Sequence, residues 1–249
     1  MAIPPLEELR ELLQAAGQLA IQLREAGLQI ETKPDGSLVT NADRAVEEFL
    51  RPKLTQLLPG SSVYGEEFGL DKPGHSGLWA VDPIDGTSNY CFGSPLWGVT
   101  IGLIQGNQAV MGGIYIPNLD EMYLASKGLG ATLNGRPLAK PKPGPIQPYE
   151  LISYNEWAQR SLPKLPGKQR LIGSIVVEMA FVASGRYRGL AGRRERLYDI
   201  AGGLPLLSEL GFDVRHPDGT LIDIAKLTGG AQIGPWLAFP PESGYFGKS

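Results

Sequence analysis

The chain has one cysteine, Cys91, and two histidines, His75 and His216, in 249 residues. A single cysteine excludes an internal disulfide and suits a reducing compartment. A histidine-rich zinc site, or a histidine base serving a serine or cysteine nucleophile, would have to draw on His75 and His216 alone. Neither lies in a recognisable motif for such chemistry. No apolar run approaches the roughly 20 residues needed to cross a bilayer. The opening MAIPPLEELRELL lacks the basic start and apolar core of a secretory signal. These absences predict a soluble, cytoplasmic protein with no membrane partner. The net charge of −3 provides no basic field to attract nucleic acid. The 42% hydrophobic content supports a substantial core, in one large domain or two small ones sharing an interface.

Leu6, Leu9, Leu12, Leu13, Ala16, Leu19, Ala20 and Leu23 recur at helical spacing, which predicts an amphipathic helix over 6–26. The stretch ETKPDGS breaks that pattern and reads as a loop. A second helix is expected over about 42–58, capped by Thr40 or Asn41 and stopped before Pro59-Gly60. Strand-like runs follow in LWAV, WGVTIGLI, AVMGGIYI and EMYLA, with Gly106-Asn107 as a hairpin turn. The proline-rich KPKPGPIQP at 140–148 marks a boundary. It separates an expected N-terminal α+β sub-domain over 1–143 from a C-terminal α/β sub-domain over 144–249. In the second part ELISY reads as extended, followed by a loop to about Lys168. Helices are expected near 174–184 and 199–210, and a strand near Phe212–Arg215. The C-terminal FPPESGYFGKS is expected to be irregular. Mixed helices and strands in both halves predict a layered fold.

Four acidic stretches stand out. In WAVDPIDGTSNY an apolar strand runs into Asp82 and Asp85. Two carboxylates at the mouth of a buried strand repel each other and lose solvation, so a bound cation is an economical explanation. Hard cations such as magnesium take oxygen ligands, and Pro83 stiffens the chain where the Ile84 carbonyl could join them. Gly86, Thr87 and Ser88 read as the start of a short helical turn, whose free amides suit a phosphate. The other stretches are VYGEE with Glu66 and Glu67, LYDIAGG with Asp199, and KPDGSLVTNAD with Lys33, Asp35 and Asp43. Each alone reads equally as a turn, a solvated pair or a helix cap.

Together, and in this order, the four stretches resemble the lithium-sensitive, magnesium-dependent phosphatases, closest to the inositol monophosphatase family. GLGATLNGRPL at 128–138 and IGSIVVEMAFVASGR at 172–186 extend the similarity over most of the chain. The resemblance implies an αβαβα sandwich of the inositol monophosphatase and fructose-1,6-bisphosphatase type, usually a homodimer. It implies two or three magnesium ions, manganese as a substitute and lithium as an inhibitor. By position, Glu66, Asp82, the Ile84 carbonyl, Asp85 and Asp199 would bind metal. Glu67, with the loop bearing Lys33 and Asp35, would lie by a further, weaker ion. Asp43 would bond Thr87, which with Glu66 would position the attacking water. Asp85, Gly86, Thr87, Ser88 and Glu195 would face phosphate or substrate. The implied reaction is hydrolysis of a small phosphorylated metabolite, with inositol 1-phosphate as the leading substrate.

Two departures bear on the substrate. The family's substrate-gripping glutamate would fall at Gly192, with Glu195 near it only if the loop shifts; the family's tryptophan before the last metal aspartate is Tyr198. Arg193, Arg194 and Arg196 crowd the same segment, as a solvated basic loop or as a seat for a second anionic group. Fructose 1,6-bisphosphate, adenosine 3',5'-bisphosphate and histidinol phosphate therefore remain alternative substrates. A metal-binding regulatory partner with little catalysis is the alternative of a different class.

Overall fold

The computed structural model describes residues 3–71, 74–162 and 165–246. The first amphipathic pattern folds as α1 (Leu6–Ala26), burying Leu9, Leu13, Ala16 and Ala20 on one face. α2 (Asn41–Leu57) is capped by Thr40, whose hydroxyl accepts from the Ala42 and Asp43 amides. The Asp43 carboxylate reaches back to the Thr40 amide, completing a capping box.

The large sheet has eight strands. In chain order they are β3 (Ser62–Gly65), β4 (Gly69–Leu70), β5 (Leu78–Asp85), β6 (Gly98–Gln105), β7 (Gln108–Ile116), β8 (Glu121–Ser126), β9 (Gly130–Leu133) and β10 (Arg136–Pro137). Their spatial order is β10-β9-β8-β7-β6-β5-β3-β4, antiparallel except where β3 lies parallel to β5. A small hairpin, β1 (Ile30–Thr32) with β2 (Leu38–Thr40), replaces part of the expected ETKPDGS loop. Its tip is the turn Lys33–Ser37, closed by the Lys33 amide on the Ser37 carbonyl at 2.8 Å. The second sheet has the order β12-β11-β13-β15-β14. Its strands are β11 (Leu151–Tyr154), β12 (Lys168–Arg170), β13 (Gly189–Gly192), β14 (Asp213–Arg215) and β15 (Trp236–Phe239).

Alternation along β5 assigns the layers. Trp79 and Val81 join the core under α1 and α2. Ala80 faces the other way, into a core shared with α5 (Ile175–Ala183), α6 (Leu197–Ile200) and α7 (Leu204–Leu210). Leu190, Trp236 and Ala238 of the second sheet close that core from the far side. Ile152, Tyr154 and Phe239 face outward with Ala158 of the short helix α4 (Glu156–Ser161). The layers therefore run helix, sheet, helix, sheet, helix. Among the described residues no helix is long and apolar enough to cross a membrane.

The expected helix over 199–210 is broken into α6 and α7 by the turn at 201–203. Pro205 is tolerated there because it falls in the first turn of α7. That turn lies directly on the large sheet. A Cβ on Gly102 would overlap the Ala201 backbone, one on Gly112 would overlap Gly202, and one on Gly202 would overlap Thr100. The WLAF and GLAG strands and α4 escaped the sequence reading because they are short and lack a period. The tail from Pro240 to Phe246 is irregular as expected, and 247–249 lie outside the described residues.

Gly202→Ala is expected to destabilise the protein by about 2–3 kcal/mol, the usual cost of overfilling a close contact. Gly229→Ala, which meets nothing within 4 Å, serves as the control and should stay within about 0.5 kcal/mol of the parent. Urea unfolding of both variants checks this, and equal midpoints would refute the close contact.

Candidate active site

β5 does not end at Val81 but continues through Asp85 with a break in its ladder. Asp82 pairs with Thr100 and Asp85 with Gly98, so β5 carries one residue more than β6 across this step. Pro83 has no amide to offer the ladder. The Ile84 amide turns instead to Asp82 Oδ1 at 3.0 Å. Such a bulge bends the strand and re-aims its side chains. Asp82 and Asp85 are both buried.

Asp199 reaches them from α6. Carboxylate oxygens of Asp82, Asp85 and Asp199 lie within 4.8 Å of one another. Each residue commits one oxygen to hydrogen bonding. Asp82 Oδ1 takes the Ile84 amide, Asp85 Oδ2 takes the Ser174 hydroxyl and the Val176 amide, and Asp199 Oδ2 takes the Arg196 amide. The second oxygen of each has no hydrogen-bond partner among the described residues. No lysine or arginine among them forms an ion pair with these three acids. Three aspartates with free oxygens and no organic cation fit a hard divalent ion.

Burial and mutual repulsion act on all three groups in the same direction. Asp82 is raised well above the usual carboxylate range by burial, then by the charges of Glu66, Asp85 and Asp199. Asp199 is raised likewise by burial, then by Glu66 and Asp85. Asp85 is pushed up to about 7 by burial, against the opposing hydrogen bonds from Ser174 and Val176.

Glu66 and Glu67 follow β3. Lys33 Nζ sits between them, 2.9 Å from Glu66 Oε1 and 2.8 Å from Glu67 Oε1. Burial works to lower the Lys33 pKa, and the two carboxylates outweigh it. Asp35 bonds Ser37 within its own exposed turn and does not join this group. Thr87 opens α3 (Thr87–Cys91), after Gly86 in the left-handed region at φ 87°. Its hydroxyl lies 3.1 Å from the Ile84 carbonyl and 3.4 Å from Asp43 Oδ1. Asp43 is buried on α2 and its carboxyl is pushed up to about 6 by burial, against the Thr40 hydrogen bonds. Glu66, Asp82, Asp85, Gly86, Thr87 and Asp199 share one cavity of about 660 Å³, with Ile84 and Ser88 also on its wall.

The substrate side of this cavity is where side chains depart from the expectation. A Cβ on Gly192 would overlap the indole of Trp236. That indole donates to Glu195 Oε2 at 2.7 Å. Glu195 Oε1 accepts from the Asn155 side chain and from the Arg193 amide. Glu195 therefore lies buried in the cavity wall with both oxygens engaged. Arg193 and Arg194 also line the cavity, and neither guanidinium has a carboxylate partner among the described residues. Arg194, at φ 76°, lays its guanidinium 4.0 Å from the centre of the Trp157 ring.

Sequence reasoning passed over Ser174, Glu178 and Trp236. Ser174 caps α5 and holds Asp85. Its signal was a serine directly before an apolar helix. Glu178 is almost fully buried on α5, and its carboxyl is raised to about 8 by burial. An acidic residue inside IVVEMAFVA was the available hint.

A layered fold that focuses buried carboxylates beside the open amides of a helix start is that of a metal-dependent phosphatase. The chain belongs to the inositol monophosphatase family, whose sequence model matches residues 5–237. It is 31% identical over 195 residues to a fructose-1,6-bisphosphatase/inositol-1-monophosphatase of Aquifex aeolicus, covering 73% of each chain. It is 31% identical over 223 residues to an inositol-1-monophosphatase of Mesorhizobium japonicum, covering 83% of each. Among solved structures it is similar to the extragenic suppressor protein suhB of Bartonella henselae. That likeness has a TM-score of 0.81 at 25% identity, over 94% of this chain and 93% of that one.

The acid cluster sets a pH dependence. An unfolded aspartate titrates near about 3.9, whereas folded Asp85 titrates at about 7. Between these values the folded state binds more protons, so this contribution to stability is present below about pH 4 and lost as pH rises through about 7. Asp82 and Asp199 act in the same direction. The chelator-treated protein should therefore melt at a lower temperature at pH 8 than at pH 5, and Asp82→Asn should raise its pH 8 melting temperature. Calorimetry with and without chelator checks both, and a profile that is flat or rises towards pH 8 would refute the assignment.

Proposed function

We propose that the protein hydrolyses a small phosphomonoester using magnesium ions held by Glu66, Asp82, the Ile84 carbonyl, Asp85 and Asp199, and that inositol 1-phosphate is a substrate. The observation that carries this reading is the triad Asp82, Asp85 and Asp199 within 4.8 Å, on the same cavity wall as Gly86, Thr87 and Ser88. Bound magnesium would supply Lewis acidity, acidifying an attacking water and offsetting charge on the phosphate and the leaving oxygen.

The rest of the work falls to the chain. The first amides of α3 have no partner within their own helix, so they can donate to the phosphate oxygens. A threonine hydroxyl has one proton, and Thr87 has two acceptors for it, Asp43 and the Ile84 carbonyl. Donation to either leaves the Thr87 oxygen free to accept a hydrogen bond from the water, while Glu66 would accept the water's other hydrogen bond. The water is thereby oriented with a lone pair towards phosphorus. Lys33 engages one oxygen of Glu66 and one of Glu67, which leaves the second oxygen of Glu66 as the one that would meet an ion.

A second reading has its own observation. Gly192 and the engaged Glu195 leave no free carboxylate where inositol hydroxyls would be gripped, while Arg193 and Arg194 stand on the cavity wall without acidic partners. That arrangement favours a substrate with a second anionic group, such as fructose 1,6-bisphosphate.

Asp82→Asn and Asp199→Asn should each lower kcat/KM by about a thousandfold or more while leaving the fold intact. Wild-type turnover in either variant would overturn the metal assignment. Phosphate release should be compared for inositol 1-phosphate, fructose 1,6-bisphosphate, adenosine 3',5'-bisphosphate and histidinol phosphate at matched concentration, with lithium titrated against magnesium. Inositol 1-phosphate is expected at or near the top, with lithium inhibiting. A preference for bisphosphates of about a hundredfold, roughly 2.7 kcal/mol of differential transition-state binding, would favour the second reading. A folded, metal-binding protein inert on all four would favour a regulatory role.

A further inference from the structure

Asp43, Glu47 and Arg51 stand four residues apart on α2, so their side chains form one stripe along the helix. The stripe runs beside a fully buried apolar row of Ala42, Val46, Leu50 and Leu54. Asp43 meets Thr87, as described above. Glu47 has no solvent exposure. Its Oε2 accepts the Glu67 amide at 2.8 Å and its Oε1 the Phe68 amide at 3.2 Å. Arg51 closes on the same carboxylate, with Nε at 2.9 Å and Nη2 at 2.7 Å from Oε1. The guanidinium continues to the Gly69 carbonyl and to Asp71.

The backbone is shaped around this carboxylate. β3 ends at Gly65 and β4 begins at Gly69. A Cβ on Gly65 would overlap the Glu47 carboxylate, so no larger residue fits while Glu47 is in place. Between the strands the Glu66 amide bonds the Val81 carbonyl at 3.3 Å, next to Asp82. The two amides that follow bond Glu47. The turn that presents Glu66 is therefore fixed at one end by β5 and at the other by a buried side chain of α2.

We propose that Glu47 is a positioning residue for the metal centre: by gripping the Glu67 and Phe68 amides it fixes the turn that presents Glu66 towards the acid cluster. The inference rests on Glu66 being a metal ligand. Neither Glu47 nor Arg51 needs to touch the ion, because they act through the backbone that carries Glu66. Groups that orient metal ligands typically govern affinity by about 10–100-fold.

The test is manganese binding by calorimetry to the full chain without substrate, for wild type, Glu47→Gln and Glu47→Asp. Glu47→Gln keeps one acceptor but loses the charge and turns an amide group towards backbone donors. Glu47→Asp keeps the charge but falls short of the turn. Both should weaken manganese binding at least about tenfold and raise the half-saturating magnesium concentration in parallel. At saturating magnesium, kcat should return to within about threefold of wild type. A purely structural role would lower the melting temperature while the folded fraction bound manganese with wild-type affinity, and that result overturns the proposal. If neither variant folds, amide exchange in chelator-treated wild type decides. Protection at Glu67 and Phe68 before metal is added supports the clamp, and exchange at the rate of an open loop overturns it. Wild type that binds no manganese would instead sink the metal reading itself, which keeps the two failures distinct.

Discussion

Three aspartates whose carboxylate oxygens lie within 4.8 Å of one another in a largely buried cleft are the constraint around which this molecule is built. Like charges at such separation disfavour joint ionisation, and burial adds to that cost. The protein offsets part of it locally: Ser174 and Val176 donate to Asp85, the Ile84 amide to Asp82 and the Arg196 amide to Asp199. These donors stabilise the charged forms without neutralising them. No lysine or arginine among the described residues pairs with the triad, although Lys33 stands close by on Glu66. The cluster therefore stays electrostatically strained and could be relieved by a metal ion. A stability penalty in the metal-free state follows from the same geometry that makes the site useful.

Bringing the third aspartate to the other two is a problem of backbone clearance. Asp82 and Asp85 sit on β5, and Asp199 belongs to a short helix more than a hundred residues later. Glycines 102, 112 and 202 remove the side chains that would hold the later segment off the sheet. The bulge at Pro83–Ile84 then lets two acids from one strand serve one centre. The turn bearing Glu66 obeys the same logic, since Gly65 makes room for the buried carboxylate beneath it. Glycine here serves close approach, and each instance lies directly against an element of the site.

The acid cluster was legible in the sequence to the extent that it depends on local runs. DPIDGT gives itself away because acids follow an apolar strand without an intervening loop, and Thr40 with Asp43 spells a capping box. α1 could be read end to end from its period. Less legible were elements defined by partners far along the chain. GLAG has no strand propensity of its own, and its pairing with β11 and β15 supplies what its composition lacks. The continuous helix expected over 199–210 failed because Gly202 answers to the sheet beneath it and Gly203 to Met179 of α5, and not to helix propensity. Glu195 illustrates the limit most sharply. Its position near Asp199 is plain in the sequence, but the indole that engages it comes from Trp236. The stripe Asp43, Glu47 and Arg51 was visible as a four-residue repeat of charge, yet its meaning depends on a turn twenty residues away.

The two sides of the cavity are held by different means. The wall that carries the acid cluster is anchored mainly through main-chain groups: the bulge in β5, the start of α3, the first amides of α5 and the amides gripped by Glu47. Such anchors tolerate little change because moving one displaces several side chains together. The other wall relies more on side chains meeting side chains, Trp236 on Glu195, Asn155 on Glu195 and Arg194 on Trp157, with the Arg193 main chain bonded to Glu195 and Asn155. Exchanging those residues alters what fits against the wall without moving the acid cluster. A cavity arranged in this way can keep its acid cluster fixed while the other wall changes, and there this chain has the indole of Trp236 on β15 and two arginines just after β13.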